Sequence, residues 1–331
     1  EDGIPDPLWS RGLGDVYKRQ DLIRGEIKFQ NNELDDLILL RSDGTPTYHL
    51  CNVVDDYEQN VTTVIRGEDH ISNTPRQIHI QQALGYPPLE YAHLPLVLGE
   101  DKKRLSKRHA ATSLDEYQSE GYLDVSIINT LARLGWSGGE NEVFNLEELI
   151  RDFDIKEVQK AGAIFDLTKL DWINSQHLSH LDQASFKEIL LPFIDNLDID
   201  YSGYNQLDEL IDSMRSVKPN LKLIAQALVP YIGNFKEYDE KGVKKFLIGS
   251  ENTLSSVMEM LYALEVWNED EIDNQLAKLQ EELELPTPKM NQPIRIALTG
   301  STQSPSLGLT IKLMGKDKSI DLLKKALDFL S

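Results

Sequence analysis

Cysteine is nearly absent: Cys51 is the single one in 331 residues. No disulfide can close within the chain and no cysteine-rich zinc site can form, which suits a reducing cytoplasm. Long apolar runs are missing too. A bilayer span takes about 20 consecutive apolar residues, and no stretch approaches that. Basic charge is in deficit, with 34 Lys and Arg against 55 Asp and Glu and a formal net charge of −21. Such a balance favours solubility and repels polyanions at long range. The average surface therefore speaks against nucleic acid as a partner, while leaving room for a local cationic patch. Phosphate-loop and dinucleotide glycine signatures are absent, as is the Gly-x-Ser-x-Gly setting of a serine nucleophile. The first twenty residues, EDGIPDPLWSRGLGDVYKRQ, show no helix or strand period. They also lack the basic start and apolar centre of a secretion signal. They read as a leader foreign to the protein, or disordered.

What is present divides in two. The length allows two or three domains, and 40% hydrophobic residues can fill their cores. Residues 21 to about 110 read as mixed α/β. DLIRGEIKF and LDDLILLRSDGTPTYHL alternate or run apolar, with Asp43-Gly44 as a turn dipeptide. VTTVIRG is a β-rich run that ends at Gly67. NTPRQIHIQQALGY predicts a helix, with Asn73 and Thr74 as cap candidates, Pro75 in the first turn and Gly85 at the close. YAHLPLVLG is another apolar run and leads into DKKRLSKRHA. From about residue 112 the helical period takes over. Leu207, Leu210, Ile211 and Met214 share one face, as do Leu254, Val257, Leu261 and Leu264. The same spacing returns at Ile272, Leu276, Leu279 and Leu283, then at Ile320, Leu323, Leu327 and Leu330. LPTPKMNQP reads as a proline-rich connection between helices.

Three constellations invite chemistry, each with a plainer reading beside it. In DKKRLSKRHA, Lys102, Lys103, Arg104, Lys107 and Arg108 surround Ser106 just after a strand. A cationic loop in that place suits the charge that builds on a triphosphate during displacement; a solvated turn is the alternative. Tyr48 and Asn52 are four apart, so a helical turn puts them on one face. Arg66 ends a strand, where its fork can grip a carboxylate with two parallel hydrogen bonds; equally, it can pair with Asp55, Asp56 or Glu68. His177 and His180 are spaced as a ligand pair, but no third ligand is near in sequence, and they read as surface histidines. No metal site is expected.

Taken in series, these stretches resemble a known family. RSDGTPTYHLCNVVDD, VIRGEDHISNTPRQIHIQQALGY, HLPLVLGEDKKRLSKRHAATSLDEYQSEGYL and AGAIFDLTKLDWIN, with DLIRGEI before them, are similar to bacterial-type glutamyl-tRNA synthetases. The resemblance runs from Asp21 to the C-terminus and is densest over 21–180. It implies an α/β plus all-α fold: the C-terminal half of a class I synthetase Rossmann-like catalytic domain, then a helical stem-contact and anticodon-binding region. The implied domains are 21–110 for catalysis, 111–180 for the tRNA stem and 181–331 for the anticodon, behind the leader 1–20. Arg104, Leu105, Ser106, Lys107 and Arg108 match the family's ATP-binding lysine-serine-lysine loop, with Lys107, Ser106 and Arg104 as catalytic positions. Arg104 and Leu105 stand where a lysine and a methionine are usual. Tyr48, Asn52, Arg66 and His70 match glutamate-binding positions.

The implied reaction is ATP-dependent ligation of L-glutamate to tRNA(Glu) through glutamyl-adenylate. Mg²⁺ arrives with ATP, and no structural zinc is implied. A cytoplasmic monomer without membrane contact is expected, and charging of tRNA(Gln) as well is left open. Arg215, Lys218 and Lys222 are candidate anticodon contacts, each with a solvated-cation alternative, and the acidic run from Glu265 to Asp273 is expected to face away from RNA. One departure from the family stands out. Its histidine-isoleucine-glycine-histidine motif is missing, since His49, His70, His79, His93 and His109 all have the wrong neighbours. The expectation is a fragment lacking the first half of the nucleotide fold and inactive alone. Two other readings remain: a non-catalytic tRNA-binding module, and a glutaminyl-type synthetase.

Overall fold

Strand β1 (Val16–Asp21) turns back on β2 (Gly25–Gln30) as an antiparallel pair, with Asp21 opposite Gly25. The turn has two local causes. Gly25 sits at φ +80, which costs a glycine little. Asp21 Oδ1 accepts from the backbone N–H of Ile23 at 3.0 Å and of Arg24 at 2.9 Å. The expectation that residues 1–20 carry no strand is corrected for 16–20. Their pairing is made of backbone hydrogen bonds, which composition does not reveal. The computed structural model describes residues 16–31, 34–105, 113–235 and 237–331.

Helix α1 (Tyr48–Glu58) follows the Asp43-Gly44 turn, where the Asp43 carboxylate accepts from Thr45. Strand β3 (Thr63–Gly67) then leads through a 3-10 turn (Glu68–Asn73) into α2 (Thr74–Ala83) and back to β4 (Glu90–Leu94). Strands β3 and β4 are parallel, and a parallel pair needs such a crossover. Their register sets Arg66 directly beside His93. Asn73 precedes α2 as expected but does not cap it with its side chain; its amide goes to His70 instead. Pro75 lies in the first turn, where its missing N–H is not needed. Strand β5 (Val97–Leu98) enters the DKKRLSKRHA loop and pairs in parallel with β6 (Ala163–Ile164).

Helices α3 (Leu114–Ser119), α4 (Asp124–Arg133) and α5 (Leu146–Asp152) come between β5 and β6, and α6 (Leu167–His180) follows. Capping boxes open α3 at Ser113 and α5 at Asn145. Beyond them lie α7 (Gln183–Asp195), α8 (Leu207–Ser213), α9 (Leu221–Ile232) and the short α10 (Glu240–Gly242). The last are α11 (Glu251–Ala263), α12 (Glu269–Glu282), α13 (Thr287–Thr299), α14 (Leu307–Met314) and α15 (Lys316–Leu330).

The TPKMNQP part of the expected connection is helical: it forms the first half of α13. Pro288 falls in the first turn and Pro293 interrupts the ladder further in. Packing of Met290, Ile294, Ile296 and Leu298 in the core outweighs the lost hydrogen bond.

The chain divides into two units, one from residues 1–112 and 128–167, the other from 113–127 and 168–331. In the first, Ile23, Ala92, Trp136, Phe144, Leu149 and Val158 form one core cluster, and Ile78, Leu89 and Tyr91 another. The second is helical around one continuous core, to which the predicted faces of α8, α11, α12 and α15 contribute Leu210, Leu261, Ile272 and Leu323.

Candidate functional site

In an open parallel sheet, ligands gather at the carboxyl ends of the strands. Arg66 is the penultimate residue of β3, and two of its neighbours come from the turn and helix that follow, two more from β4. Its Nη2 donates to Thr74 Oγ1 at 2.8 Å and to the His70 carbonyl at 3.4 Å. Its Nε donates to His93 Nε2 at 3.2 Å, and its guanidinium stands 5.6 Å from the centre of the Tyr91 ring. Burial pulls Arg66 below its usual pKa, opposed by Tyr91, Tyr48 and Asp56. None of the three expected carboxylate partners lies within ion-pair distance of Arg66 among the described residues. Glu68 is taken up by Arg24, at 2.5 Å, and its other oxygen accepts from Leu96 N–H at 3.0 Å. Asp56 is felt only at longer range, and burial raises its own pKa against that attraction.

The other expected pocket residues surround the free end of this guanidinium. Tyr48 and Asn52 lie one turn apart on α1. The Tyr48 hydroxyl is 3.4 Å from His70 Nδ1, and the residue is 51% exposed, open to a ligand. His70 Nδ1 also receives the Asn73 amide at 3.0 Å. Nδ1 is thus an acceptor, and the proton of a neutral His70 sits on Nε2. Asn52 is half-buried, and its side chain has no hydrogen-bond partner among the described residues. Nη1 and the outer side of Nη2, with Tyr48 and His70 beside them, form a cationic, hydrogen-bonding end suited to a carboxylate.

The basic loop comes to the same turn. Leu105 N–H donates to Val97 O and Gly99 N–H to Lys103 O, each at 2.8 Å, which folds residues 97–105 into a hairpin. Lys102 occupies its left-handed position at φ +61. Arg104 Nη1 then meets Asp69 Oδ2 at 3.1 Å, next in sequence to His70. With Arg104 68% exposed, this pair contributes at most about 1 kcal/mol. It leaves the guanidinium free to exchange partners. Ser106, Lys107 and Arg108, the rest of the expected ATP-binding loop, lie outside the described residues.

Sequence reasoning missed Asp21 and His93. Asp21 directly follows the first twenty residues, and His93 stands in no local motif of its own. The two are 2.6 Å apart, Oδ2 to Nδ1, with both side chains 1% exposed. Burial alone would raise the Asp21 pKa, but hydrogen bonds from Arg24, His93 and Ile23 hold the carboxyl below its usual range. Burial pushes His93 down, against the pull of Asp21. The pair is therefore a carboxylate facing a neutral imidazole.

The expected anticodon contacts are held within the helical unit. Arg215 Nη1 donates to the Leu181 carbonyl, its Nε lies 2.8 Å from Asp212, and its guanidinium packs 4.6 Å from the centre of the Phe186 ring. Two of the three guanidinium nitrogens of Arg215 thus face partners inside the helical unit. Lys218 donates to Gln303 at 2.7 Å in the wall of a cavity of about 810 Å³, and burial lowers its pKa. Lys222 pairs with Glu120 at 2.6 Å and is 42% exposed. His177 and His180 lie in the last turn of α6. Among the described residues no group of three or more His, Cys, Asp or Glu is placed to hold a metal, and no helix is long and apolar enough to cross a membrane.

Comparison with known proteins gives the family. The family described as class I tRNA synthetases (E and Q), catalytic domain, matches residues 13–172, and an anticodon binding domain matches 185–327. A glutamate–tRNA ligase of Thermodesulfovibrio yellowstonii is 41% identical over 319 residues, covering 93% of this chain and 67% of that protein. A crystal structure of a glutamate tRNA ligase from Elizabethkingia meningosepticum, in complex with its amino acid, superposes with a TM-score of 0.74 at 28% identity, covering 96% of this chain and 66% of that one. The glutamate-tRNA synthetase of Elizabethkingia anophelis gives 0.73 at 28%, covering 95% and 66%. The chain thus spans about two thirds of the length of these relatives. From the ordered motifs, the fold and this identity, the chain belongs to the glutamate–tRNA ligases, class I aminoacyl-tRNA synthetases of the glutamate and glutamine group.

Proposed function

We propose that this chain binds L-glutamate at Arg66 and serves the ATP-dependent attachment of glutamate to tRNA(Glu). The observation that carries the reading is the outward end of the Arg66 guanidinium, flanked by Tyr48 and His70 at the carboxyl end of β3. Nε and one hydrogen of Nη2 are already used, so the substrate carboxylate is met end-on, by Nη1 and Nη2. Tyr48 and Asn52 supply the remaining polar contacts, and His70 lines the wall.

The reaction then runs in two steps. A glutamate carboxylate oxygen attacks the α-phosphorus of Mg²⁺-bound ATP; a P–O bond forms and pyrophosphate leaves. A ribose hydroxyl at the tRNA terminus next attacks the acyl carbon and AMP leaves. The substrate is itself the nucleophile, so the protein's part is positioning and charge stabilisation. Arg104, Leu105, Ser106, Lys107 and Arg108 are assigned to ATP by the family resemblance, with the cations and Ser106 to stabilise the departing pyrophosphate.

Residues 21–110 act on the nucleotide and amino acid, 111–180 on the tRNA stem, and 181–331 on the anticodon. The anticodon-domain match over 185–327 supports the last of these assignments, and the catalytic-domain match over 13–172 includes the first. Arg215, Lys218 and Lys222 are the candidate phosphate contacts, of which Lys222 is partly exposed and Lys218 lines a cavity. Charging of tRNA(Glu) alone, or of tRNA(Gln) as well, is separated by aminoacylation with each.

The test is calorimetric titration of the chain with L-glutamate. Arg66→Lys keeps the charge but loses the fork, and it is expected to weaken binding by about tenfold or more. Unchanged affinity in that variant removes the reading.

A further inference from the structure

Arg66 is reached from behind by a run of buried polar groups that none of the roles above uses. Asp21 Oδ1 is surrounded by three backbone donors: Ile23 N–H at 3.0 Å, Arg24 N–H at 2.9 Å and His93 N–H at 3.3 Å. Its other oxygen, Oδ2, faces His93 Nδ1 at 2.6 Å. Across the ring, His93 Nε2 lies 3.2 Å from Arg66 Nε and 3.1 Å from Thr74 Oγ1. An arginine Nε can only donate. Nε2 must accept, and the proton of the neutral imidazole must sit on Nδ1, pointing at Asp21. A protonated or inverted ring would set a donor against a donor. The strand register that puts Arg66 and His93 side by side makes this contact available, and the β1–β2 turn delivers the carboxylate to the far edge of the ring.

We infer that Asp21 and His93 are positioning residues for Arg66: the Asp21 carboxylate holds His93 as the Nδ1–H tautomer, and the bare Nε2 fixes the guanidinium plane with Nη1 and the outer Nη2 hydrogen directed at the substrate carboxylate. Only the last link rests on the glutamate reading above. Asp21 as a simple turn cap accounts for the Oδ1 contacts. It does not account for Oδ2 against an imidazole whose opposite nitrogen is taken by the one arginine of the pocket.

The decisive variant is Asp21→Asn, nearly the same shape. The three backbone donors hold the amide oxygen in the Oδ1 place, so the amide NH₂ is turned on His93 Nδ1. Nδ1 must then accept, the proton moves to Nε2, and Nε2–H confronts Arg66 Nε–H. Long-range ¹H–¹⁵N spectra of the full chain are expected to show His93 as Nδ1–H in the parent and as Nε2–H in Asp21→Asn. The Arg66 Nε–H is expected to exchange faster with solvent in the variant, and glutamate binding to weaken by about tenfold, the scale of a lost charge-assisted hydrogen bond.

His93→Gln and His93→Leu supply a second comparison. The glutamine oxygen can reach the Nε2 place and accept from Arg66, so His93→Gln is expected to bind glutamate within about threefold of the parent, and His93→Leu to lose about tenfold. A structural role alone moves both equally. An Nε2–H ring in the parent overturns the inference, as does tautomer inversion without loss of affinity, or an equal loss in both His93 variants. A parent that shows the Nδ1–H ring and a protected Arg66 Nε–H, yet does not bind glutamate, removes the glutamate reading and leaves the Asp21–His93–Arg66 assignment supported.

Discussion

Arg24 holds more of the first unit together than its place beside a turn suggests. Its Nη2 meets Glu68 at 2.5 Å, its Nε donates to the His93 carbonyl at 3.2 Å, and its Nη1 donates to the Lys160 carbonyl at 2.7 Å. Removing it leaves one oxygen of the part-buried Glu68 carboxylate and the part-buried His93 carbonyl without this donor. Arg24→Ala is expected to cost about 3 kcal/mol of stability, measured by urea denaturation. Histidine titration makes a second prediction. His49, His79 and His93 are all pushed below the ordinary imidazole pKa, chiefly by burial. The unfolded chain therefore takes up protons first as pH falls, so stability is fully present above an unfolded value of about 6.5 and is lost below it. The thermal midpoint is expected to fall between pH 7 and 5, and His93→Gln to make that fall shallower. Asp21 adds to the loss at lower pH, since its depressed carboxyl gives up its contribution only as pH drops below the usual aspartate range.

The elements depend on a few local devices that substitution can isolate. Asn145 caps α5, and its box partner Glu148 returns the hydrogen bond to the Asn145 N–H at 2.9 Å. Asn145→Ala is expected to lower stability by about 1 kcal/mol. Gly121 is less replaceable. It lies at φ +85, and a Cβ there would come within 2.8 Å of Leu221 N and 2.7 Å of Lys222 N, at the start of α9. Gly121→Ala is expected to cost about 2 kcal/mol or more, read as a lower denaturation midpoint. Helices α8, α11, α12 and α15 were legible from spacing alone, since a single buried face repeats at the helical period. α13 was not: two prolines and a polar start hid it. Its stability comes from Met290, Ile294 and Leu298 packed in the core, a property of the neighbours as much as of the segment.

Over the whole chain, the acidic balance and the local cations coexist without conflict. The formal net charge is −21, while Arg104 is drawn to the turn that carries His70 by Asp69. The helical unit has its own continuous core, centred on residues such as Phe186, Ile224 and Leu228. Leu228→Ala, a fully buried truncation, is expected to destabilise that unit by 2–5 kcal/mol, roughly the range for such cavities, as followed by denaturant unfolding.

Family, fold class and the candidate pocket residues were all contained in the order of residues, because each rests on short-range facts. Motif spacing, helical periodicity and the one-turn separation of Tyr48 and Asn52 need no knowledge of distant chain. Tertiary structure alone decided how Arg66 is aimed. Asp21 and His93 are 72 residues apart, and no local pattern links either to Arg66. Only the parallel register of β3 with β4, and the hairpin folded against them, bring a carboxylate, an imidazole and a guanidinium into one line. Partners are then chosen by geometry at about 3 Å, a scale at which sequence distance has no bearing.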